Sequence, residues 1–544
     1  METIITGFAQ GGELVKTLAK TLMVQGTAST VGKSTFVTGL CRIFAREGWR
    51  VAPFKAQNMA LNSWVTRSGG EIGRAQVVQA EAAGIEPTVE MNPILLKPEG
   101  SARSQVIVMG RPLAAMEAQE YYRHRSSLLP IVQQALTSLR LEYDLVIIEG
   151  AGSPVELNLA EKDLVNMPMA RLAEAPVLLV GDIDRGGIFA SLLGTLMLLS
   201  PADRARVKGL IINKFRGDLA LWRDGEQMLA EMGGVSVLGT VPFFQHIRIA
   251  EEDVVPLDEG TATIVQPRQA AANGRLEIVV VRLPYLSNYD EFDALAAEAL
   301  VHLRFAASPA EFPARPDLII LPGTKNTLSD LAWLWRQDLA QHIRQCVSNG
   351  SAVLGICGGY QMLGERVSDT VGSEGPAGTT EPGLHLLPVE TFFATLDEKT
   401  TQRCHARLAS SAARGLFAHV QEQYFHTYQI HVGRTIMTAG QEAGTPAFAV
   451  DTFGNDGWLN ADGWCAGGYL HGLFENDNLR HGVLRALAER RSAHLVVPEQ
   501  ISFNRQTEYD KLADWLRQYL DIRQLKELCD LLEVEENYAR RRKL

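Results

Sequence analysis

A cysteine and a histidine, each at the end of an apolar run, are the strongest candidates for covalent chemistry in this sequence. Cys357 follows Val-Leu-Gly-Ile and precedes Gly-Gly-Tyr-Gln-Met-Leu-Gly, and His471 follows Gly-Gly-Tyr-Leu. An apolar strand that turns sharply into a helix lifts the residue at the turn clear of the sheet edge, and flanking glycines permit that geometry. Cys357 is therefore predicted to be an exposed nucleophile. A thiol with a distant imidazole base is an arrangement for acyl transfer.

Two glycine-containing turns are predicted to supply hydrogen-bond donors beside this thiol. The helix after Cys357 directs its first amides, beginning with that of Gly358, at the thiol and at an oxyanion. A predicted strand over residues 317–321 runs into a tight loop at Gly323, whose free amides could complete an oxyanion hole. A cysteine after an apolar strand is more often a buried small hydrophobic residue. The glycine context GICGGYQMLG favours the catalytic interpretation.

A phosphate-binding loop is predicted near the start of the chain. An apolar strand over residues 21–25 leads into Gly26-Thr27-Ala-Ser-Thr-Val-Gly32-Lys33-Ser34-Thr, and a helical pattern follows through residue 47. Backbone amides and a helix N-terminus surround phosphates in such a loop, the lysine neutralises the outer ones, and the serine hydroxyl can ligate Mg²⁺. Five residues, and not the usual four, separate Gly26 from Gly32. The strand before and the helix after favour nucleotide binding over a solvated turn.

Polar side chains just past further predicted strands extend this site. Glu149 ends the buried run 143–149, where an acid beside a phosphate loop commonly holds Mg²⁺, although it could also cap the next loop. Ligands of open α/β sheets bind beyond the carboxyl ends of strands. On that ground the candidates for substrate binding are Lys55, Asn58, Asp182, Asp184 and Arg185. A polar turn for the first two and a local ion pair for the others remain open alternatives.

The order of predicted elements indicates an α/β protein with two doubly wound, mostly parallel sheets. At least five strands alternate with helices up to residue 241, and a second series begins at residue 275. Residues 258–274, rich in Gly, Pro, Ala and Gln, are predicted to be a linker. We therefore divide the chain into an extension (1–20), a first domain that contains the phosphate loop (21–257), the linker, a second domain that contains Cys357 and His471 (275–490) and a solvated helical tail (491–544). Residues 367–388 are expected to form a long loop.

The composition argues against several classes of function. The chain has 544 residues, 46% of them hydrophobic and 21% charged, which is enough for at least two cores. A net charge of -11 argues against a nucleic-acid partner. The six cysteines form no CxxC pair, as is usual in a reducing compartment. No apolar run approaches the roughly 18 to 20 residues of a membrane span and no signal peptide is evident, so we expect a cytoplasmic protein without a membrane partner.

Together the two predicted sites describe a single reaction. Cys357 would attack the carboxamide of glutamine, His471 would shuttle protons, and ammonia would leave. The ATP half would convert a carboxylate into an acyl phosphate, which ammonia then attacks. The residues alone thus predict an ATP-using amidotransferase.

Longer motifs resemble known families. GICGGYQMLG with YLHGLFEN resembles the class I glutamine amidotransferases, and GTASTVGKST resembles the phosphate loop of the dethiobiotin synthetase group. With KAQNMALNS, IIEGAGSPVELNL, GDIDRGGIFASLLGT and NKFRGD between them, the chain from about residue 22 to about residue 490 resembles the cobyric acid synthase family. The resemblance implies ATP- and glutamine-dependent amidation of the b, d, e and g carboxylates of a corrinoid, adenosylcobyrinic a,c-diamide, in cobalamin synthesis.

The resemblance also implies roles for individual residues. The family's nucleophile and base fall on Cys357 and His471, and the phosphate and magnesium roles fall on Lys33 and Ser34. Two further residues resemble functional positions of the dethiobiotin synthetase group, a magnesium-binding acid and an adenine-reading asparagine: Glu149 and Asn213.

The sequence departs from most class I amidotransferases beside its histidine. Many of them place a glutamate two residues after the histidine, but position 473 is leucine here, and Glu475 is a poor substitute by spacing. We therefore expect a Cys-His dyad, whose imidazole is less firmly held and less basic. Slow glutamine hydrolysis, or hydrolysis that depends on the synthetase substrate, would follow.

Two other functions remain open. Cobyrinic acid a,c-diamide synthases share both domain types and amidate other side chains; the KAQNMALNS stretch favours the cobyric acid synthases. A nucleotide-dependent regulatory protein with an inactive amidotransferase-like domain is a different class of explanation. The presence of both Cys357 and His471 argues against it.

Overall fold

The computed structural model describes two α/β units, each built on its own sheet. It describes residues 18–99, 103–244, 247–249, 274–438, 444–492 and 504–532. Most of the predicted extension (1–20) and, apart from Gly274, the predicted linker (258–274) lie outside these residues. Within the described part of the chain, no helix is both long enough and apolar enough to cross a membrane. All six cysteines are free and buried.

The first unit is a parallel sheet of six strands with helices on both faces, as the alternation of predicted elements indicated. The strand order is β12-β11-β10-β1-β9-β2. Its strands are β1 (Lys20–Gly26), β2 (Val51–Phe54), β9 (Leu145–Glu149), β10 (Val177–Asp182), β11 (Val207–Phe215) and β12 (Val237–Pro242). Alternate residues of a strand face opposite cores: Leu22 packs in the core under the first helix, and Met23 packs in the core on the other face.

Smaller elements of the first unit lie beyond the carboxyl edge of this sheet. They are a four-stranded sheet of order β3-β6-β7-β8 and the hairpin β4-β5. Their strands are β3 (Gln57–Met59), β4 (Ser63–Val65), β5 (Glu71–Gly73), β6 (Ile94–Pro98), β7 (Arg103–Val108) and β8 (Arg111–Glu117). The helices of this unit are α1 (Lys33–Arg46), α2 (Arg74–Ala83), α3 (Ala118–Glu142), α4 (Met167–Leu172), α5 (Ile188–Leu198), α6 (Pro201–Arg204) and α7 (Arg223–Gly233).

The second unit contains a nine-stranded sheet of order β14-β13-β15-β16-β25-β24-β23-β20-β21, whose first five strands are parallel. The antiparallel extension from β24 to β21 was not predicted. A separate four-stranded sheet of this unit has the order β18-β17-β19-β22. The strands of the two sheets are β13 (Leu276–Val281), β14 (Val301–Ala306), β15 (Leu318–Leu321), β16 (Ala352–Ile356), β17 (Arg366–Asp369), β18 (Thr379–Pro382), β19 (Val389–Phe393), β20 (Thr400–Leu408), β21 (Phe425–His431), β22 (Gly433–Met437), β23 (Thr445–Val450), β24 (Gly454–Leu459) and β25 (Cys465–Gly468).

Helices of the second unit include those that follow its catalytic strands. They are α8 (Asp293–Ala297), α9 (Thr327–Arg336), α10 (Leu339–Ser348), α11 (Gly358–Met362) and α12 (Asp477–Arg491), and two more follow at the carboxyl end, α13 (Arg505–Tyr519) and α14 (Ile522–Leu528). The long loop expected over residues 367–388 is wrong in part, because β17 and β18 pair there as an antiparallel hairpin. Asp369 holds the turn between them by accepting hydrogen bonds from five successive backbone amides, those of residues 371–375.

The C-terminal helices are helical as predicted, but the described ones are not a solvated tail. Leu512 and Leu516 of α13 are buried against α1, and a β-carbon on Gly39 of α1 would lie 2.3 Å from Leu516 Cδ1. Arg42 of α1 donates to Asp510 at 2.9 Å beside this contact. The sequence of α13 is rich in charged residues, but its apolar residues recur with helical spacing and form a stripe that packs on α1. The helix that begins at the phosphate loop is thus covered by α13.

Candidate active sites in the two units

The turn at Cys357 has the strained geometry that the sequence predicted. The parallel strand β16 ends at residue 356, Cys357 has φ 52° and ψ -111°, and α11 begins at the next residue. L-residues rarely adopt this conformation, and it persists where the surroundings fix it. Gly359 permits the turn, because a β-carbon there would lie 1.9 Å from the carbonyl oxygen of Leu321. The prediction of an exposed thiol is wrong: Cys357 is 7% exposed, because β21 lies against it and the carbonyl of Ile430 accepts a hydrogen bond from the thiol at 3.4 Å.

His471 has a carboxylate partner that the sequence did not reveal. Its Nδ1 lies 3.1 Å from Oε1 of Glu291, whose Oε2 accepts a hydrogen bond from the amide of Gly472, also at 3.1 Å. His471 and Glu291 are both almost fully buried. The expected Cys-His dyad is therefore wrong in the described structure, because Glu291 reaches the imidazole from a turn 180 residues earlier in the chain. The reason to expect a loosely held imidazole disappears with it.

Leu473 and Glu475, the two residues considered near the usual position of this carboxylate, are not the partner of His471. Leu473 is buried in the hydrophobic core of the second unit. Glu475 accepts a hydrogen bond from Arg505 at 2.9 Å. No motif near His471 could have identified Glu291, since the pairing depends on the folded position of the turn Tyr289–Phe292.

The surroundings of His471 favour its charged form. Burial alone would lower the pKa of the imidazole, but the charge of Glu291 and hydrogen bonds with Cys357 and Glu291 raise it to about 10. Burial raises the pKa of Glu291, and the histidine and the Gly472 amide oppose that effect. An imidazolium beside a thiol favours the nucleophilic thiolate and has a proton ready for a leaving group. The ring of Tyr428 stacks on His471 with centroids 5.1 Å apart and fixes its plane.

The structure brings the two predicted donor turns to the same place. A β-carbon on Gly323 would lie 2.8 Å from Cε1 of His471, and one on Gly358 would lie 2.6 Å from Cγ2 of Thr324. The carbonyl of Pro322 accepts a hydrogen bond from the amide of Gly359 at 3.1 Å, which ties the loop to α11. Only glycine leaves room for the imidazole at position 323. Donation to an oxyanion by the amides of Gly323 and Gly358 stays a prediction.

The phosphate loop has its expected frame in the first unit. Lys33 turns back over the loop, and its Nζ donates to the carbonyls of Ala28 at 2.8 Å and Gly152 at 3.2 Å. Gly32 has φ 103°, and a β-carbon there would lie 2.4 Å from Nδ2 of Asn213. That amide donates to the carbonyl of Val31 at 2.8 Å, so Asn213 braces the loop.

Gly26 and Thr27, at the start of the phosphate loop, are each fixed by contacts with neighbouring residues. A β-carbon on Gly26 would lie 2.5 Å from Cγ2 of Val31, so the loop closes tightly on itself. The backbone amide of Thr27, which was predicted to donate to phosphate, donates to the carbonyl of Val180 at 2.9 Å. Thr27 therefore ties the loop to the sheet.

Glu149 lies fully buried at the inner end of this loop. It accepts hydrogen bonds from Ser34 Oγ at 2.8 Å, Lys55 Nζ at 3.0 Å and Gln79 Nε2 at 2.5 Å. Oxygens about 3 Å apart fit adjacent positions around Mg²⁺, which prefers octahedral oxygen ligands near 2.1 Å and one or two carboxylates beside substrate phosphates. The Ser34 and Glu149 oxygens meet that requirement. Among the described residues no group of three or more His, Cys, Asp and Glu side chains could hold a metal ion.

The five candidates for substrate binding fall into two groups. Lys55 and Asn58 are buried and bonded within the first unit, Lys55 to Glu149 and Asn58 to Gln76. The others lie past β10, where Asp182 pairs with Lys214 at 3.0 Å, Asp184 pairs with Arg216 at 2.7 Å, and Arg185 is exposed. The structure thus shows local ion pairs at Asp182 and Asp184. It brings Lys55 alone of the five into contact with Glu149.

Comparisons with known proteins match both units. Residues 22–257 match the CobQ/CobB/MinD/ParA nucleotide binding domain, and residues 277–479 match the CobB/CobQ-like glutamine amidotransferase domain. The cobyric acid synthase of Sorangium cellulosum is 48% identical over 520 residues, 92% of this chain and 97% of that protein. The chain belongs to the cobyric acid synthase family. The cobyric acid synthase of Dehalococcoides mccartyi is 46% identical and covers 94% of this chain and 99% of its own length.

Membership of the cobyric acid synthase family confirms the resemblance found in the motifs. It also confirms the predicted pairing of a nucleotide-binding half with a glutamine amidotransferase half. A third relative, the cobyric acid synthase of Chloroflexus aggregans, is 49% identical over 472 residues, 86% of this chain and 92% of that protein.

Glu291 provides a direct test of the histidine geometry in this cobyric acid synthase family member. Glu291→Gln is expected to lower the glutamine-dependent rate about 100-fold, because outer partners of a working histidine fix its tautomer and orientation. Since Glu291 raises the pKa of His471, its loss should move the alkaline limb of the pH profile to lower pH. Rates with glutamine, measured from neutral to alkaline pH, check both effects.

A second glutamate bonded to a histidine serves as the matched control. Glu277 lies 2.9 Å from Nδ1 of His302 in the paired strands β13 and β14. Glu277→Gln is expected to leave both the rate and the pH profile unchanged. An alkaline limb of Glu291→Gln at its wild-type position would show that the carboxylate does not set the protonation of His471.

Proposed function

We propose that this protein uses ATP and glutamine to amidate the b, d, e and g carboxylates of adenosylcobyrinic a,c-diamide in cobalamin synthesis. The observation that carries the proposal is the Cys357, His471 and Glu291 arrangement in the same chain as a phosphate loop, within the cobyric acid synthase family. The first supplies nitrogen and the second activates a carboxylate. The reaction uses ATP and the cysteines are free, as is usual in the reducing cytoplasm, so we place the reaction there.

In the glutaminase half, Cys357 passes its thiol proton to His471, and the thiolate attacks the carboxamide carbon of glutamine. The protonated His471 delivers that proton to the departing ammonia, and Glu291 holds the ring in position for the transfer. The amides of Gly323 and Gly358 stabilise the oxyanion of the tetrahedral intermediate. Water then hydrolyses the thioester with the imidazole as base, which releases glutamate and restores the thiol.

In the synthetase half, the backbone amides of the Gly26–Gly32 loop and Lys33 bind the phosphates of ATP. Ser34 and Glu149 would hold Mg²⁺, which would supply neutralisation of the charge on the phosphates. The substrate carboxylate attacks the terminal phosphorus, which gives an acyl phosphate and ADP. Ammonia attacks the acyl carbon, and phosphate leaves.

Recognition of the other ligands is assigned to the remaining candidates. Asn213 lies against Gly32 at the edge of the loop, where its side chain would read the adenine. The carboxyl edge of β10 carries Arg185, an exposed cation suited to a corrinoid carboxylate, next to Asp184. Lys55 and Asn58 lie deeper, and Lys55 would orient Glu149. Asp182 would keep Lys214 beside the loop, since Lys214 also donates to the carbonyl of Thr30 at 2.8 Å.

Product analysis tests this function. Purified protein with ATP, Mg²⁺ and glutamine is expected to convert adenosylcobyrinic a,c-diamide to a product with four new amides, and to release ADP in proportion. Mass spectrometry counts the amides. Addition of amides to the a and c carboxylates of the unamidated acid would instead identify a cobyrinic acid a,c-diamide synthase. Absence of carboxylate-stimulated ADP release would favour the regulatory alternative.

A further inference from the structure

Helix α2 of the synthetase half spans the distance between the two proposed sites. In its middle, Gln79 donates to Glu149, the acid that also accepts from Ser34. At its first residue, Arg74 Nε donates to Asp290 of the amidotransferase half at 2.6 Å. Five residues of helix rise, about 7.5 Å, separate the two contacts. Nine of its ten residues are buried, so the helix is packed along its whole length.

Asp290 is held in place by charges from two other parts of the chain. Arg74 is 2% exposed, and its guanidinium lies over the ring of Trp64, 4.5 Å from the centroid. Arg505, at the start of α13, lies 3.5 Å from the same carboxylate and 2.9 Å from Glu475. Asp290 is the residue before Glu291 and belongs to the same short turn, Tyr289–Phe292. Glu291 therefore directly follows a residue that is held by charged side chains from other parts of the chain.

The turn before Asp290 is also bonded to the synthetase half. Asn288, with φ 56°, accepts from the amide of Ser63 at 2.8 Å, and its own amide donates to Oδ1 of Asn62 at 2.6 Å. The amide of Arg74 donates in turn to the carbonyl of Asn62 at 3.2 Å. The N-terminal end of α2 and the turn that carries Glu291 are thus joined by hydrogen bonds as well as by charge.

An aromatic stack makes a second contact with the same histidine. Trp64 packs on Tyr428 with ring centroids 4.2 Å apart, and Tyr428 stacks on His471. The synthetase half therefore reaches His471 along two routes. The first passes through Arg74, Asp290 and Glu291, and the second passes through Trp64 and Tyr428.

We propose that Arg74, a residue of the synthetase half, positions the glutaminase machinery: it holds Asp290 so that Glu291 stays bonded to His471. Through α2 the same residue is connected to Glu149 at the phosphate loop, so the two sites share one rigid element. The inference rests on the proposed function, because it assigns a role in glutamine hydrolysis. A buried ion pair that served stability alone would affect both halves of the reaction equally.

The test compares nitrogen sources in the full-length protein. Arg74→Gln is expected to lower the glutamine-dependent kcat about 10- to 100-fold, the usual effect of losing an outer partner. The ammonium-dependent rate should stay within about twofold of wild type, and the KM for glutamine should not change, because the role proposed for Arg74 is to position Glu291 and not to bind glutamine. Arg74→Lys keeps the charge but not the planar fork, so it should restore part of the loss. Asp290→Asn should reproduce the selective defect.

The rate at which a reactive glutamine analogue labels Cys357 provides a readout that needs neither corrinoid nor ATP. It is expected to fall in Arg74→Gln and Asp290→Asn. The matched control is Glu86→Gln, which breaks another ion pair across the interface, 2.6 Å from Arg403, and should change neither rate. Equal loss of both nitrogen sources in Arg74→Gln, or labelling at the wild-type rate, would overturn the inference. Absence of ammonium-dependent amidation in the wild type would instead count against the proposed function.

Discussion

Replacing Cys357 by alanine is expected to abolish amidation from glutamine and to leave amidation from ammonium unchanged. The loss should be on the order of 10,000-fold or more, as for removal of other covalent nucleophiles. Only the nitrogen supply is cut, because the phosphate loop and Glu149 lie in the other unit. Amide formation with each nitrogen source, followed by mass spectrometry, measures the effect.

Cys346 offers the matched control for this substitution. It is also a free, buried cysteine of the second unit, but it lies on α10 with His342 as its neighbour at 3.6 Å. Cys346→Ala should retain both activities. Normal use of glutamine by Cys357→Ala would refute the nucleophile assignment.

Replacing Lys33 by alanine is expected to remove amidation from both nitrogen sources. The side chain of Lys33 folds over the loop and donates to the carbonyls of Ala28 and Gly152. Its ammonium group therefore lies at the loop that is proposed to bind the phosphates of ATP. Loss of such a group costs on the order of 100- to 1,000-fold in rate. ADP release and amide formation, each with glutamine and with ammonium, measure the effect.

Lys208, an exposed lysine on β11 of the same sheet, is the control. Lys208→Ala should behave as wild type. If Lys33→Ala kept its activity with ammonium, the phosphate loop would not be the site of carboxylate activation.

The two catalytic turns could be predicted because each is encoded by neighbouring residues. A strand, a small-residue turn and a helix specify the backbone at Cys357 within a dozen positions, and the same holds for the loop before Lys33. Glu291 could not be predicted, because it meets His471 only after the chain has folded between them. The spacing from His471 suggested Glu475 as its partner, but in the folded protein Glu475 accepts a hydrogen bond from Arg505.

The polar stretch over residues 55–63 shows the same limit at an interface. Lys55 and Asn58 in it were predicted to line a substrate site, since polar residues past a strand usually meet ligands or solvent. In the folded protein Asn62 and Ser63 bond to Asn288 of the other unit instead. A sequence reports that such residues need partners, but not whether a ligand or another part of the chain provides them.

The packing of α13 on α1 has a consequence for how the protein is made. The groove at Gly39 is filled by Leu512 and Leu516, which are translated more than 460 residues later. During synthesis the nascent first unit therefore carries an uncovered apolar groove until translation reaches α13, and a ribosome stalled after the amidotransferase domain would present that groove to chaperones. Proteolytic cleavage between the two units would yield fragments that remain associated, because the second fragment keeps the helix that completes the first.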